Sequence, residues 1–467
     1  MKIRILATLI FVSLSSLAQN TIKGTMTPPE ESDWVILYKI NGPKQKFIAN
    51  GTIVPGDVNI GGNIQKVGRF ELTLPAEAET GAYRLIYRNQ GAGFVDFYYN
   101  KENVEFVFNP KYPEESILFT KSRENKVYRE YLEQINLKQS ALDSLQTAYL
   151  KTDEKSTKKA YKKVFKEQEE IQEIYEGKSD GMLINTFIKA NKPTNSSSIF
   201  DETQEYLEHV VESFFENVDF SNKQLYRSPF IIEKVTNYIF YLNIEGNQEE
   251  QQKVYKRSIK NVMKQVKDDQ IQKEILEYLI TRFTNARNSE IVDFLFAEYY
   301  DEMDDEFKDE KFKNDKLAEL LASQGRVAPD FSWKEGEKEL SLSGLNDGEN
   351  YLLIFWSTQC GHCVKEVPEV YEYMNSTHPN TSVIAFAIED DEKDFTDWAT
   401  NKLPKWHNAI GTHPEFKLKN ETVQKYRIEQ TPTYFLLDKD KKIIAVPNTV
   451  PDIKDYLNGP SKEEEGK

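Results

Sequence analysis

The chain has 467 residues, of which 39% are hydrophobic and 12% aromatic, and its formal net charge is −16 at pH 7. This length exceeds the roughly 250–300 residues at which a single core stops growing, and the apolar content excludes wholesale disorder, so several folded domains are expected. The 76 acidic residues outnumber the 60 basic ones, which makes nucleic acid and anionic lipid unfavourable partners.

Residues 1–18 have the pattern of a secretory signal peptide. Lys2 and Arg4 precede an apolar run, and Ser16 and Ala18 occupy the −3 and −1 positions of a cleavage site. No later stretch approaches about 18 consecutive apolar residues, so no membrane span is predicted in the mature chain. The sequence therefore predicts export, to the periplasm or cell envelope.

Residues 19–120 are rich in β-branched and aromatic runs that are separated by Gly, Pro, Asn and Asp. Segments such as WVILYKI, GRFELTL and AYRLIYR have the composition of short strands bounded by turns. The pattern predicts an N-terminal all-β domain with a sandwich-like fold. The region contains no recognisable cluster of metal ligands or nucleophiles.

Residues 121–323 change to helical patterning and predict a central helical domain. Leu142, Leu145 and Tyr149 recur at heptad-like spacing, and a second charged segment repeats that spacing. The two segments predict an antiparallel hairpin that breaks near KTDEKST. Helix-helix packing is the simpler explanation of the pattern, and a peptide-binding groove is the alternative.

Residues 324–459 alternate strands with helices. YLLIFWS and SVIAFAIED have the composition of buried strands, and a helix is expected to start in CGHCVKEVPEVYEYM. The order and length predict a C-terminal α/β domain of about thioredoxin size. The charged tail over 460–467 is expected to be disordered.

The only two cysteines of the chain, Cys360 and Cys363, stand in the sequence CGHC. No metal is expected, because a zinc site needs further Cys or His ligands at suitable spacing. A disulfide that closes so short a loop adds little stability, since loop-closure entropy grows with loop length. The pair therefore predicts redox chemistry through a Cys360–Cys363 disulfide, with no cofactor, because the sulfurs hold the electrons.

The position of the motif suggests a role for each residue. A helix start stabilises a thiolate, so Cys360 is predicted to be the exposed attacking sulfur and Cys363, one turn further, the buried resolving one. His362 is expected to stabilise the thiolate as a cation or hydrogen-bond donor, and an ordinary exposed residue is the alternative. Thr431 and Pro432 precede the strand TYFLLD, where a cis peptide bond would leave backbone open to a substrate peptide.

Together these motifs resemble the exported TlpA/ResA-like branch of the redoxin superfamily, which has a thioredoxin fold. The matching features are VAPDF, the strand that ends at Trp356, the run CxxCxxExP over 360–368 and the later Thr-Pro element. The resemblance implies that Glu366 assists proton transfer near the disulfide and that Pro432 is a cis-proline facing the site. We assign Trp356, Thr431 and Pro432 to substrate binding.

Two positions depart from related families. Cytoplasmic thioredoxins have a buried aspartate six residues before the first cysteine, and this chain has Ile354 there. The dipeptide between the cysteines is Gly-His, as in protein disulfide isomerases, which leaves the direction of the reaction open. The β-rich N-terminal region is similar to the domain that precedes thioredoxin modules in exported Bacteroidetes proteins.

The predicted function is that of a cell-envelope thiol-disulfide oxidoreductase. Its partners would be protein thiols and disulfides, together with an upstream thiol electron donor or acceptor. A thiol peroxidase is one alternative, because APDF also opens peroxiredoxin-like domains, but Leu353 and Ser357 replace the expected proline and threonine. The other alternative is a binding or assembly protein with a vestigial thioredoxin domain, which the intact set of motifs disfavours.

Overall fold

A computed structural model describes residues 20–30, 32–60, 62–88 and 93–458. The predicted signal peptide and the predicted disordered tail both lie outside these residues. Among the described residues, no helix combines the length and apolarity needed to cross a membrane.

The chain divides into two compact units, Met1–Glu274 and Ile275–Lys467, and each is described by itself. In the first unit, the described strands pair in the orders β4-β5-β1-β8-β9 and β3-β2-β6-β7. Buried and less buried residues alternate along most of them, and the inward side chains of both sheets form one core. The strands are β1 (Thr21–Met26), β2 (Trp34–Asn41), β3 (Lys44–Thr52), β4 (Val54–Ile60), β5 (Asn63–Thr73), β6 (Gly81–Ile86), β7 (Phe94–Tyr99), β8 (Val104–Phe108) and β9 (Leu118–Lys121).

Helices follow these strands. The helices are α1 (Pro113–Ser116), which precedes β9, then α2 (Arg123–Thr152), α3 (Lys155–Lys178), α4 (Asn185–Ala190), α5 (Thr203–Glu212), α6 (Lys223–Tyr226), α7 (Phe230–Asn237), α8 (Gln248–Gln265) and α9 (Asp269–Asn285), within which the first unit ends.

Helices α2 and α3 run antiparallel to each other. Asp153 adopts a left-handed backbone with φ of 51° and ends α2, so the break falls within KTDEKST. The Tyr131 hydroxyl near the start of α2 donates to the Gln172 side chain near the end of α3 over 2.9 Å. Lys138 and Glu167 form an ion pair of 2.8 Å nearer the turn.

The second unit is built on a mixed sheet with the strand order β14-β13-β12-β15-β16. Strands β12, β13 and β14 are parallel, and β15 and β16 are antiparallel to their neighbours. Its elements are α10 (Ser289–Leu295), α11 (Glu310–Glu319), β10 (Ser332–Glu335), β11 (Lys338–Ser341), β12 (Asn350–Trp356), α12 (Cys363–Thr377), β13 (Thr381–Ile388), α13 (Lys393–Lys402), β14 (His407–Gly411), α14 (Glu421–Tyr426), β15 (Thr433–Asp438), β16 (Ile443–Ala445) and α15 (Val450–Asn458).

Strand β12 lies at the centre of this sheet and is buried on both faces. Leu353 and Phe355 pack into the core on one face, while Ile354 and Trp356 pack into the core on the other face, which also contains Cys363. This burial explains why the strand is continuously apolar rather than alternating. The carboxyl end of β12 therefore presents the CGHC loop at the edge of a rigid sheet, where α/β folds usually place their sites.

Candidate active site

The CGHC loop connects β12 to α12. The helix begins at Cys363, so Cys360 lies three residues before it. The sequence had suggested that Cys360 stands at the start of the helix. The main-chain N–H of Cys360 donates to the carbonyl of Ser357, and the N–H of Val364 donates to the carbonyl of Cys360, each over 3.1 Å. These two bonds fix the turn that leads the first cysteine into the helix.

The two free thiols have different surroundings. Cys360 is half-buried and Cys363 is fully buried. Burial opposes ionisation of Cys360, but hydrogen bonds from the Cys363 thiol and from the main-chain N–H groups of Cys363 and His362 outweigh it and lower the pKa of Cys360. Burial, followed by the interaction with Cys360, raises the pKa of Cys363 to about 12. Cys360 is therefore the accessible and more readily ionised thiol of the pair.

Hydrogen-bond geometry agrees with this difference. The N–H of Cys363 lies 3.3 Å from Sγ of Cys360. The imidazole of His362 is exposed and makes no capping hydrogen bond, although the sequence suggested that it stabilises the thiolate. The main-chain N–H of His362 contributes to the lowered pKa of Cys360, and a contribution of the ring stays a prediction.

Thr431 and Pro432 lie against the first cysteine. The peptide bond between them is cis, and the carbonyl of Thr431 accepts a hydrogen bond of 3.4 Å from Sγ of Cys360. Both residues are partly exposed. The structure thus brings Cys360 together with Thr431 and Pro432, which follow it by more than seventy positions in the sequence.

Glu366 lies one turn beyond Cys363 on α12 and is paired with a tyrosine that the sequence did not reveal. The hydroxyl of Tyr434, on β15, donates to Oε2 of Glu366 over 3.1 Å. Burial raises the pKa of Tyr434, and the charges of Glu366, Cys363 and Cys360 add to this effect. The only sequence signal for Tyr434 is its inward position two residues after Pro432.

Trp356 lies in the core and does not reach the surface. Its side chain is fully buried and faces Phe395 with a centroid distance of 6.3 Å. The structure therefore places Trp356 beneath the site, where direct contact with a substrate is excluded, so our assignment to substrate binding is corrected. Ile354 shares this face with Cys363, so an aliphatic side chain occupies the position where cytoplasmic thioredoxins have aspartate.

A second carboxylate below the loop was also missed from the sequence. Glu389 follows the last residue of β13 and is 1% exposed. Its Oε1 accepts from the main-chain N–H of Thr358 over 2.5 Å, and its Oε2 accepts from the Ser357 hydroxyl over 3.3 Å. Lys417 donates to the Gln359 side chain over 2.8 Å beside this group. Glu389 thus holds the loop that leads to Cys360.

Comparison with known proteins matches residues 323–458 to the Redoxin family. Thiol-disulfide oxidoreductase ResA of Geobacillus thermodenitrificans is 31% identical over 142 residues, which cover 28% of this chain and 75% of that protein. The ResA of Bacillus thuringiensis is 31% identical over 121 residues, and the chain spans 66% of its length, just under two thirds. The solved thiol-disulfide oxidoreductase of Bacteroides fragilis is 22% identical over 28% of this chain and 98% of that one, with a TM-score of 0.25.

The family match and the CGHC loop at the end of β12 define residues 323–458 as a thioredoxin-like domain of the thiol-disulfide oxidoreductase class. The chain belongs to the redoxin family and, within it, to the relatives of ResA. The resemblance inferred from the motifs is therefore confirmed for this domain. The predicted β-rich and central helical domains lie outside the segment that the family match covers.

Proposed function

We propose that the protein exchanges disulfides with other proteins in the cell envelope through Cys360 and Cys363. The observation that supports this best is the contrast between the two thiols. Cys360 is partly exposed with a lowered pKa, whereas Cys363 is buried with a pKa of about 12. Because the thiolate is the nucleophile, this contrast favours Cys360 as the attacking sulfur.

The exchange proceeds in two balanced steps. The Cys360 thiolate attacks one sulfur of a substrate disulfide, forms a mixed disulfide and releases the other substrate sulfur as a thiolate. Cys363 then loses its proton and attacks Sγ of Cys360, which releases the second substrate sulfur. The substrate disulfide is reduced to two thiols, and the protein holds the Cys360–Cys363 disulfide. An upstream thiol donor returns the pair to its reduced form, and the reverse sequence oxidises a dithiol.

The second step needs a base. A thiol with a pKa of about 12 is ionised to only about one part in 10⁵ at pH 7. Formation of the mixed disulfide removes the negative charge on Cys360, and burial then remains the main obstacle to ionising Cys363. Glu366 lies one turn further along the same helix, and its carboxylate is oriented by Tyr434. We assign proton removal from Cys363 to Glu366.

Substrate backbone is expected to bind beside the cis Thr431–Pro432 bond. The carbonyl of Thr431 already faces Sγ of Cys360, so a peptide that contacts this segment would bring its disulfide to the nucleophile. The predicted β domain over 19–120 and the predicted helical domain over 121–323 are proposed to select the protein partners.

Trapping of the mixed disulfide tests the mechanism. The reduced Cys363→Ala variant should form a stable adduct with a synthetic peptide disulfide, located on Cys360 by mass spectrometry. The matched Cys360→Ala variant should form almost none. Equal adduct formation by both variants would contradict sequential attack. Adducts with neither would favour a vestigial domain, and faster reaction of Cys360 with hydrogen peroxide than with the peptide would favour a peroxidase.

A further inference from the structure

The first unit contains a cavity of about 290 Å³ that is bounded by β7, α1, α2 and α7. Aromatic rings form much of its apolar lining, and its charged lining is mainly acidic. This volume can admit one long side chain, and it lies at the lower end of the roughly 300–1,000 Å³ that small-molecule sites usually span. We call it the aromatic-carboxylate cavity, and the residues that matter below are Phe94, Asp96, Tyr98, Glu114, Tyr128 and Glu233.

Charged groups in and beside the lining mostly have partners already. Asp96 accepts two hydrogen bonds from the guanidinium of Arg84, at 2.7 and 2.6 Å. Arg129 donates to the side chain of Glu133 over 2.8 Å and to the main-chain carbonyl of Glu114 over 2.6 Å. A ligand that used these groups would have to replace existing bonds.

Glu233, on α7, is different. It is open to solvent at the mouth of the cavity while protein surrounds its other sides, and within the described residues its carboxylate has no hydrogen bond or ion pair. Burial, followed by repulsion from Asp96 and Glu114, raises the pKa of Glu233 to about 7, against the opposing charges of Arg84 and Lys234. A carboxylate in these surroundings is stabilised by a nearby cation.

Aromatic rings line the same cavity as this carboxylate. Tyr98 and Tyr128 pack edge to face with centroids 5.3 Å apart. Burial raises the pKa of both hydroxyls, and both tyrosines line the cavity together with Glu233. Ring faces attract cations, and Phe94 already has the guanidinium of Arg84 at 3.9 Å from its centroid.

We infer that the aromatic-carboxylate cavity binds a basic side chain, the ammonium of lysine or the guanidinium of arginine, of a protein partner. The cation would pair with Glu233 and lie against Tyr98 and Tyr128. An anion would meet the carboxylates of the lining, and a neutral group would leave Glu233 unpaired. A protein is the expected source because the cavity is open at one side, so a side chain can enter while the main chain that carries it stays outside. The inference does not depend on the cysteine pair.

Binding should be measured on the full-length protein by calorimetric titration with Nα-acetyl-arginine methylamide. The isosteric neutral probe, Nα-acetyl-citrulline methylamide, should bind at least tenfold more weakly. Glu233→Gln should weaken arginine binding at least tenfold, whereas Glu212→Gln, which removes an exposed carboxylate from α5, should leave it unchanged. Cys360→Ser should also bind normally, which separates this inference from the proposed redox function.

Two further measurements keep the inference testable if Glu233→Gln proves unstable. Because pairing requires the ionised acid, the affinity of the wild-type protein should rise about tenfold between pH 6 and pH 8. A flat profile, equal affinity for the citrulline probe or no binding at 20 mM would overturn the inference. Propylguanidine tests the source of the cation, since binding tighter than that of the peptide probe would identify a free guanidinium compound and overturn the assignment to a protein.

Discussion

Tyr434 donates a hydrogen bond of 3.1 Å to Oε2 of Glu366, and Tyr434 packs in the same core as Cys363. The bond joins the strand that follows the cis-proline to the helix that begins at the resolving cysteine. This bond restricts the orientation of the carboxylate. Tyr434 is therefore a positioning residue for the group to which we assign proton removal.

Tyr434→Phe keeps the buried ring and removes only the donor. We expect resolution of the mixed disulfide to slow about tenfold, since a hydrogen bond to a charged group contributes about 1.5–3 kcal/mol and Glu366 is partly solvated. Stopped-flow single-turnover measurements would follow this step, and alkylation of Cys360 should be unaffected. The matched control is Tyr373→Phe, which removes a hydroxyl that pairs with His378 elsewhere on the helix. An unchanged resolution rate would remove Tyr434 from the mechanism.

The two possible contributions of His362 can be separated by two substitutions. Proline has no main-chain N–H, so His362→Pro removes both the imidazole and the donor that helps to lower the pKa of Cys360, whereas His362→Ala removes the imidazole alone. We expect the pH midpoint of Cys360 alkylation to rise in the proline variant and to stay near the wild-type value in the alanine variant.

The redox potential should follow the same order. Each unit of thiolate pKa corresponds to about 1.4 kcal/mol, or roughly 30 mV for a two-electron couple. The potential of the Cys360–Cys363 pair should therefore fall by some tens of millivolts in His362→Pro and change little in His362→Ala. If both variants shift equally, the imidazole and not the main chain stabilises the thiolate, as the sequence first suggested.

Glu389 is expected to stabilise the loop that leads to Cys360 and to take no part in disulfide exchange itself. Glu389→Gln keeps the shape of the side chain but replaces a charged acceptor by a neutral amide, so the bonds to Thr358 and Ser357 lose their charge assistance. We expect the free energy of unfolding to fall by about 1–3 kcal/mol. Urea denaturation would measure this change, with Asp390→Asn at the exposed neighbouring position as control. Equal stability of the two variants would contradict the role of Glu389.

The sequence was sufficient to identify the candidate site residues that lie together in one short motif. Cys360, Cys363 and Glu366 lie within seven positions, and a buried strand directly before them indicates a sheet edge. The roles of Tyr434 and Glu389 were not predicted, because an alternating or apolar pattern indicates which way a side chain points but not which group it contacts. The same limit explains Trp356, whose position at the end of a strand was compatible with exposure until the packing of α12 was known.

His407, at the start of β14, bridges two carboxylates in the same unit. Its Nδ1 lies 2.8 Å from Oε1 of Glu335, and its Nε2 lies 2.7 Å from Oδ2 of Asp347. Both ring nitrogens face acceptors, so the bridge is complete only when the imidazole is doubly protonated. Burial acts to lower the pKa of His407, but the hydrogen bonds and charges of Asp347 and Glu335 outweigh it and raise the pKa. Burial also opposes ionisation of Asp347, and His407 nevertheless lowers the pKa of that carboxyl.

These directions define the pH range in which the bridge stabilises the fold. The pKa of His407 is raised above its unfolded value of about 6.5, so its contribution is complete below that pH and is lost as pH rises through the folded pKa. Asp347 contributes fully above about pH 3.9 and loses its contribution as pH falls through its lowered pKa. The bridge should therefore stabilise most between about pH 4 and 6.5.

A neutral replacement of His407 tests this range. His407→Gln should lower the free energy of unfolding by about 1 kcal/mol at pH 5.5, a modest value because solvent screens the partly exposed carboxylates. The difference from wild type should shrink toward pH 9, where the wild-type ring is neutral. Urea titrations at several pH values, followed by tryptophan fluorescence, would measure it. His378→Gln is the matched control, since that ring pairs with the uncharged hydroxyl of Tyr373 over 3.0 Å. A difference that is constant from pH 5.5 to pH 9 would show that the ring acts by packing and not by charge.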